Sequence, residues 1–139
     1  MGPRILVAIA GIYGAVGVGL GAFGAHALKD RLPPDRLGHL DTAVRYLFTS
    51  IPGLLVTGVL VMECSGGVFA AIAAWSFVVG ALVFAGSLVA LALTGVRRWG
   101  AVTPVGGVLL VVGWLAVAGA ALMLPGSGDV ALLRLAGGC

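Results

Sequence analysis

A chain of 139 residues is long enough for one domain, and 60% of this one is hydrophobic while only 9% is charged. Soluble domains carry about 25% charged residues, because their surface must meet water. So little charge excludes a water-soluble globule and makes a bilayer the main solvent. The net charge of +3 sets eight basic residues, Arg4, Lys29, Arg31, Arg36, Arg45, Arg97, Arg98 and Arg134, against five acidic ones, and no long apolar run has a basic residue at its middle. A nucleic-acid binder gathers its basic residues on one face beside reading side chains. Here they mark the ends of membrane spans, and no nucleic-acid partner is expected.

Four stretches reach the roughly 20 apolar residues that a transmembrane helix needs. The first runs from Ile5 to about Leu28 without an internal charge. Arg4, the apolar run and Ala25-His26-Ala27 also have the shape of a signal peptide with an A-x-A cleavage site. A signal core is about 7–15 residues long, and this run is longer, so it is read as a retained span. The second runs from about Ala43 to Met62 with Arg45 near its start, the third from about Val68 to Leu93, and the fourth from about Ala101 to Leu124. Lipid offers no hydrogen bonds to a backbone, so each span is a helix or part of a closed barrel. Barrel strands alternate apolar with polar residues over about 10 positions; these runs are longer and continuously apolar.

The most polar connection, Lys29 to Asp41, contains Pro33 and Pro34, and Leu37, Leu40 and Val44 recur after them at helical spacing. This predicts a short amphipathic helix in the membrane interface leading into the second span, with Asp41 and Arg45 placed to pair. The connections Glu63 to Gly67 and Thr94 to Gly100 are short, so consecutive helices are antiparallel neighbours. The expected fold is all-α: a membrane-embedded four-helix up-down bundle over residues 1–124, with an extramembrane tail over 125–139. In that tail Asp129 is placed to cap a short helix carrying Leu132, Leu133 and Leu135. Lys29, Arg31, Arg36, Arg97 and Arg98 fall on one side, and Arg4 and Arg134 on the other. By the positive-inside rule both termini are expected on the non-cytoplasmic side. Cys64 and Cys139 fit neither a metal motif nor a redox pair, and they join only if the side they share is oxidising.

The first span carries Gly11, Gly14, Gly17, Gly21 and Gly24 on what reads as one helical stripe. Small residues let backbones approach, and packing drives association in lipid. The stripe serves packing inside the bundle, self-association, or a path along the helix. Pro52-Gly53 interrupts the second span and predicts a kink, with Thr49 and Ser50 placed to bond the freed carbonyls. No ionisable residue lies near the centre of any span, which argues against proton-coupled transport. His26, Asp30, Asp41, Arg45, Tyr46, Arg97 and Arg98 are expected at one membrane level, with Trp99. They form either a small polar pocket or ordinary interfacial anchoring. His26 and His39 alone, without thiolates, make no metal site. No cofactor is expected, and no G-x-S-x-G elbow or paired catalytic set is present. Ser87 is expected to bond a neighbouring helix.

Gly21-Ala22-Phe23-Gly24-Ala25-His26-Ala27-Leu28, then Asp41-Thr42-Ala43-Val44-Arg45-Tyr46, then Gly86-Ser87-Leu88, then Thr103-Pro104-Val105-Gly106-Gly107 and Gly113-Trp114 resemble the small membrane proteins grouped as domain of unknown function 423. The likeness covers about residues 5–124. It implies a bacterial inner membrane or mitochondrial setting and gives weight to His26, Tyr46, Gly86, Ser87, Thr103, Pro104, Gly106 and Gly107. The family pattern has a histidine four residues after the tyrosine; here Ser50 stands in that place, and Pro52 is unusual. The resemblance carries no activity. Physically, Thr103 reads as the N-cap of the fourth helix with Pro104 at its first position, and the glycines after it as packing residues. A non-catalytic structural or accessory protein is expected, acting as a homo-oligomer or as a small subunit among other membrane subunits. The alternatives are a small oligomeric channel or transporter, and a membrane enzyme using the His26 cluster.

Overall fold

The computed structural model describes residues 1–62 and 67–124. Helix α1 spans Pro3–Phe23 and runs into a π-helical turn, Gly24–Leu28. Helices α2 (Pro34–Met62) and α3 (Gly67–Thr94) follow, then a 3-10 turn, Arg97–Ala101, and helix α4, Thr103–Leu122. Among the described residues there is no strand, and all four helical segments are long and apolar enough to cross a membrane. The tail from Pro125, the pairing of Cys64 with Cys139, and the turn before Gly67 lie outside the described residues.

The amphipathic segment is helical, as its pattern predicts, but it is the opening of α2 and not a separate element. Nothing between Pro34 and Pro52 breaks a helix, and proline is tolerated in a first turn because its missing N–H has no partner there. The 29 residues of α2 rise about 43 Å at 1.5 Å each, against a hydrocarbon core of about 30 Å. The excess falls in its first turns, which carry Asp35, Arg36, Asp41 and Arg45, because charged groups are costly in the hydrocarbon; those turns belong at headgroup depth. Helix α2 stays continuous through Pro52. Thr49 Oγ1 donates to the Arg45 carbonyl at 2.9 Å and Ser50 Oγ to the Tyr46 carbonyl at 2.7 Å. Those carbonyls lie three and two residues before the Phe48 carbonyl that the proline leaves unbonded, so the two hydroxyls do not serve the proline.

The packing is serial: α1 lies on α2, α2 on α3 and α3 on α4, with α2 touching α4 lightly. Helices α1 and α4 therefore occupy opposite edges. The core draws Leu6, Ala10 and Tyr13 from α1 to Leu47 and Leu54 of α2 and to Ala74, Phe77 and Ala81 of α3. The Tyr13 hydroxyl donates to the Val78 carbonyl at 2.6 Å, tying α1 to α3.

Glycines set how closely the helices approach. A Cβ on Gly14, Gly17, Gly21 or Gly24 would meet Ile51, Phe48, Val44 or Leu40 respectively. Each step down α1 is thus matched by a step back up antiparallel α2. Gly11 leaves the stripe, with nothing within 4 Å of its Cβ position. Two successive steps of three residues, Gly11 to Gly14 to Gly17, drift about 60° each around a helix of 3.6 residues per turn, which turns Gly11 outward. At the centre, Phe77 is fully buried. It sits between Gly53 and Gly113, where a Cβ would lie 2.5 Å and 3.2 Å from its ring. Trp114 meets its edge, centroids 5.1 Å apart at 81°.

Candidate functional site

Helices α3 and α4 cross at Phe84. A Cβ on Gly106 would run into the Phe84 backbone, and one on Gly107 would touch the Phe84 ring at 3.5 Å. Only glycine at Gly106 permits this approach. The Ser87 hydroxyl donates to the Phe84 carbonyl at 2.9 Å and lies 2.8 Å from Thr103 Oγ1. One proton bridges the two hydroxyls, and Thr103 Oγ1 also lies 3.4 Å from the Trp99 carbonyl of its own segment. Thr103 therefore does not cap α4: Val102 is the N-cap, no side chain bonds the first turn, and Thr103 begins the helix itself. Its hydroxyl turns to the neighbouring helix because α3 presents a partner that water cannot replace in lipid.

From α2, Tyr46 packs on the same ring, centroids 4.4 Å apart at 42°. Because α2 meets α4 only lightly, a groove of about 440 Å³ remains between them, lined by Tyr46, Thr49, Ser50, Phe84, Gly107 and Trp114 among others. Ser50 is almost wholly buried at its base, and both Thr49 and Ser50 spend their protons on their own helix. The groove is thus an apolar trough with few polar atoms to spare. Gly86 and Pro104 do not contribute: both are exposed, and a Cβ on Gly86 would meet nothing. Gly86 is turned about 100° from Ser87 around α3, which carries it to the outer face.

The polar end of the molecule does not close into one pocket. His26 is exposed on the π turn, Asp30 is exposed just after it, and Arg97, Arg98 and Trp99 are exposed on the 3-10 turn. Asp41 and Arg45 pair at 2.7 Å with 66% and 74% of their side chains accessible, so the pair contributes little. Two cavities flank α2 here. One of about 270 Å³ lies under the π turn, between Gly24, Ala25 and Lys29 on one side and Leu37, Leu40 and Asp41 on the other. The second, about 200 Å³, is lined by Asp35, Arg36, His39, Leu91, Gly95 and Arg97. Among the described residues no three His, Cys, Asp or Glu side chains gather as a metal would require.

The sequence profile described as "Protein of unknown function (DUF423)" matches residues 20–107. This chain belongs to the DUF423 family. Among its relatives, a UPF0382 membrane protein of Staphylococcus epidermidis is 38% identical over 88% of this chain and 99% of its own length. The UPF0382 membrane protein YwdK of Bacillus subtilis is 34% identical over 86% of this chain and 97% of its own. The UPF0382 inner membrane protein YgdD of Escherichia coli is 36% identical over 91% and 92%. No solved structure matches this chain.

Seen against DUF423 membership, the resemblance residues fall into two groups. Tyr46, Ser87, Thr103, Gly106 and Gly107 converge on Phe84, and Ser50 lies at the foot of the same groove. His26, Gly86 and Pro104 point outward. Sequence reasoning missed Phe84, because one phenylalanine in an apolar helix carries no distinguishing pattern. It also missed Arg36, whose guanidinium fills the space a Cβ would take at Gly95. Gly95 itself was legible: a glycine after a periodic run marks a helix end, and here it adopts φ +72° with its N–H bonded to the Leu91 carbonyl at 2.8 Å.

Proposed function

We propose that this DUF423 protein is a non-catalytic accessory protein of the bacterial inner membrane that works by helix association, as a homo-oligomer or as a small subunit of a larger complex. The observation that carries the reading is the serial packing. Edge helix α1 is held mainly by α2, and it turns Ala8, Gly11, Ala15, Gly19 and Ala22 outward, all exposed, at spacings of three and four. Such faces let a second helix approach closely in lipid, where packing rather than hydrophobicity drives association. The non-catalytic reading is supported by the state of the polar groups: His26 is exposed on the π turn, and Asp41 and Arg45 are taken up with each other.

Native mass spectrometry of the protein extracted in mild detergent tests the proposal. A defined assembly, reduced to monomer by Gly11→Leu or Ala15→Leu, is the expected result. A monodisperse monomer without foreign subunits would overturn it. A small channel is the second reading, favoured by the Tyr46–Ser50 groove open along α2 and α4; solute flux through liposomes that responds to Gly107→Leu is its signature. For orientation, the excess of Lys29, Arg31, Arg36, Arg97 and Arg98 at one end favours that end as cytoplasmic. In a chain freed of Cys64 and Cys139, Gly2→Cys is expected to react with an impermeant maleimide on intact cells. Labelling only after lysis reverses the orientation.

A further inference from the structure

From the cavity between the start of α2 and the end of α3, we infer a binding site for the phosphate of an anionic membrane phospholipid. The cavity, about 200 Å³, brings together Arg36 and His39 from α2 with Arg97 from the 3-10 turn, and Asp35 is its one acidic group. Two guanidiniums against one carboxylate leave a formal charge of +1 with His39 neutral. That matches a headgroup of charge −1 and leaves a positive excess against a zwitterionic one. Among the described residues neither guanidinium has an ion-pair partner; the pair that does form, Asp41 with Arg45, is elsewhere.

The position of Arg36 is built into the backbone. Gly95 ends α3 at φ +72°, and because it has no Cβ the Arg36 guanidinium lies against its Cα. The bland account is that Arg36 answers the negative end of the α3 dipole. That accounts for one cation. It does not account for Arg97, which lines the same cavity from an exposed turn: two guanidiniums beside one small space repel, and an anion between them relieves that repulsion. Guanidinium forks are suited to phosphate oxygens, and basic pockets between transmembrane helices at the membrane surface take phospholipid headgroups.

Depth and direction select a lipid over a free anion. The cavity lies in the first turns of α2, at headgroup level. On the same face of α2, seven residues on from His39, Tyr46 opens the groove that Phe84 and Trp114 also line. That is about 10 Å along the helix, and the groove offers acyl chains an apolar trough. This site is independent of oligomerisation, because its lining comes from one chain.

The test is native mass spectrometry of the purified full chain in mild detergent, titrated with phosphatidylglycerol or with phosphatidylcholine. Wild type is expected to retain phosphatidylglycerol preferentially. Arg97→Gln, on an exposed turn outside the core, and Arg36→Gln are each expected to weaken that retention about tenfold, from the roughly 1.5 kcal/mol at the lower end for a hydrogen bond to a charged group. Arg98→Gln changes the charge equally but lies outside the cavity lining, and is expected to leave retention unchanged. Circular dichroism identifies any variant that fails to fold, and Arg97→Gln carries the test if Arg36→Gln does. Equal retention of the two lipids overturns the inference. So does an equal loss from Arg98→Gln, which would mean a diffuse basic surface. Inorganic phosphate alone, binding the delipidated protein and blocking phosphatidylglycerol, would assign the site to free phosphate and overturn the lipid as its ligand.

Discussion

Substituting Gly106 by alanine places a methyl group against the Phe84 main chain. Its ideal position is 2.7 Å from Phe84 Cα and 2.8 Å from Phe84 Cβ, where carbon atoms prefer about 3.5–4.0 Å. Main chain cannot rotate away as a side-chain tip can, so α4 must withdraw from α3 by about 1 Å. Overpacking of this kind costs about 1–3 kcal/mol. The retreat also stretches the 2.8 Å contact between Ser87 and Thr103, and interhelical bonds in membranes average about 0.6 kcal/mol. The helical gain of alanine over glycine, at most about 1 kcal/mol, offsets part of this. With the full offset, the net loss expected is about 0.5–2.5 kcal/mol. Two neighbours serve as controls. Gly107→Ala meets only an ordinary 3.5 Å contact, and Gly86→Ala meets nothing, so the first is expected near neutral and the second neutral or stabilising by up to about 1 kcal/mol. Unfolding in mixed micelles titrated with sodium dodecyl sulfate, followed by far-ultraviolet circular dichroism, ranks the three. Equal midpoints for Gly106→Ala and Gly107→Ala would refute the claim that backbone contact at Phe84 limits the α3–α4 approach.

Three further outcomes follow from the same structure. A double-mutant cycle of Ser87→Ala and Thr103→Val is expected to show a coupling of about 0.6 kcal/mol and no more than about 1.7; zero coupling would mean that the 2.8 Å contact contributes nothing. Gly53→Ala sets a methyl 2.5–2.7 Å from three Phe77 ring atoms, while Gly113 and Trp114 close the ring's other sides. It is expected to cost about 1–3 kcal/mol and to shift tryptophan fluorescence through Trp114, and an unchanged unfolding midpoint would count against a pinned ring. Asp41→Asn is expected to change stability by less than about 0.5 kcal/mol, since its ion pair is exposed, and a large salt-dependent loss would show the pair to be stronger than its exposure allows.

The spans were legible because hydropathy and length decide them, and the glycine spacing on α1 was legible as a face. What spacing could not supply was the partner and the drift. Gly14 through Gly24 meet α2, whereas Gly11, two three-residue steps earlier than Gly17, rotates out of the contact. Local rules misplaced Thr103 for a related reason. A threonine before proline satisfies every sequence criterion for a helix cap, yet its hydroxyl finds Ser87, sixteen positions away. The polar cluster was grouped by membrane level, which is a coordinate along the bilayer normal. It carries no information about angle around the bundle. Asp41 therefore lines the α1 side of α2 and Arg97 a cavity on its α3 side.

Phe84 explains why the family-like residues are what they are. A large ring at a helix crossing normally forces two backbones apart. Here the ring is turned toward Tyr46 and over Gly107, so the Phe84 main chain itself can face Gly106, and Ser87 with Thr103 links the helices beside it. Small residues in contact and a large residue set aside create, together, a tight α3–α4 pair and a trough between α2 and α4. Ser50 lines that trough and is itself almost wholly buried. Its hydroxyl spends its proton on the Tyr46 carbonyl one turn back, so it offers the trough no free donor. The trough is therefore shaped by Tyr46, Phe84 and Gly107, and it stays apolar because the hydroxyls of Thr49 and Ser50 are bonded within α2.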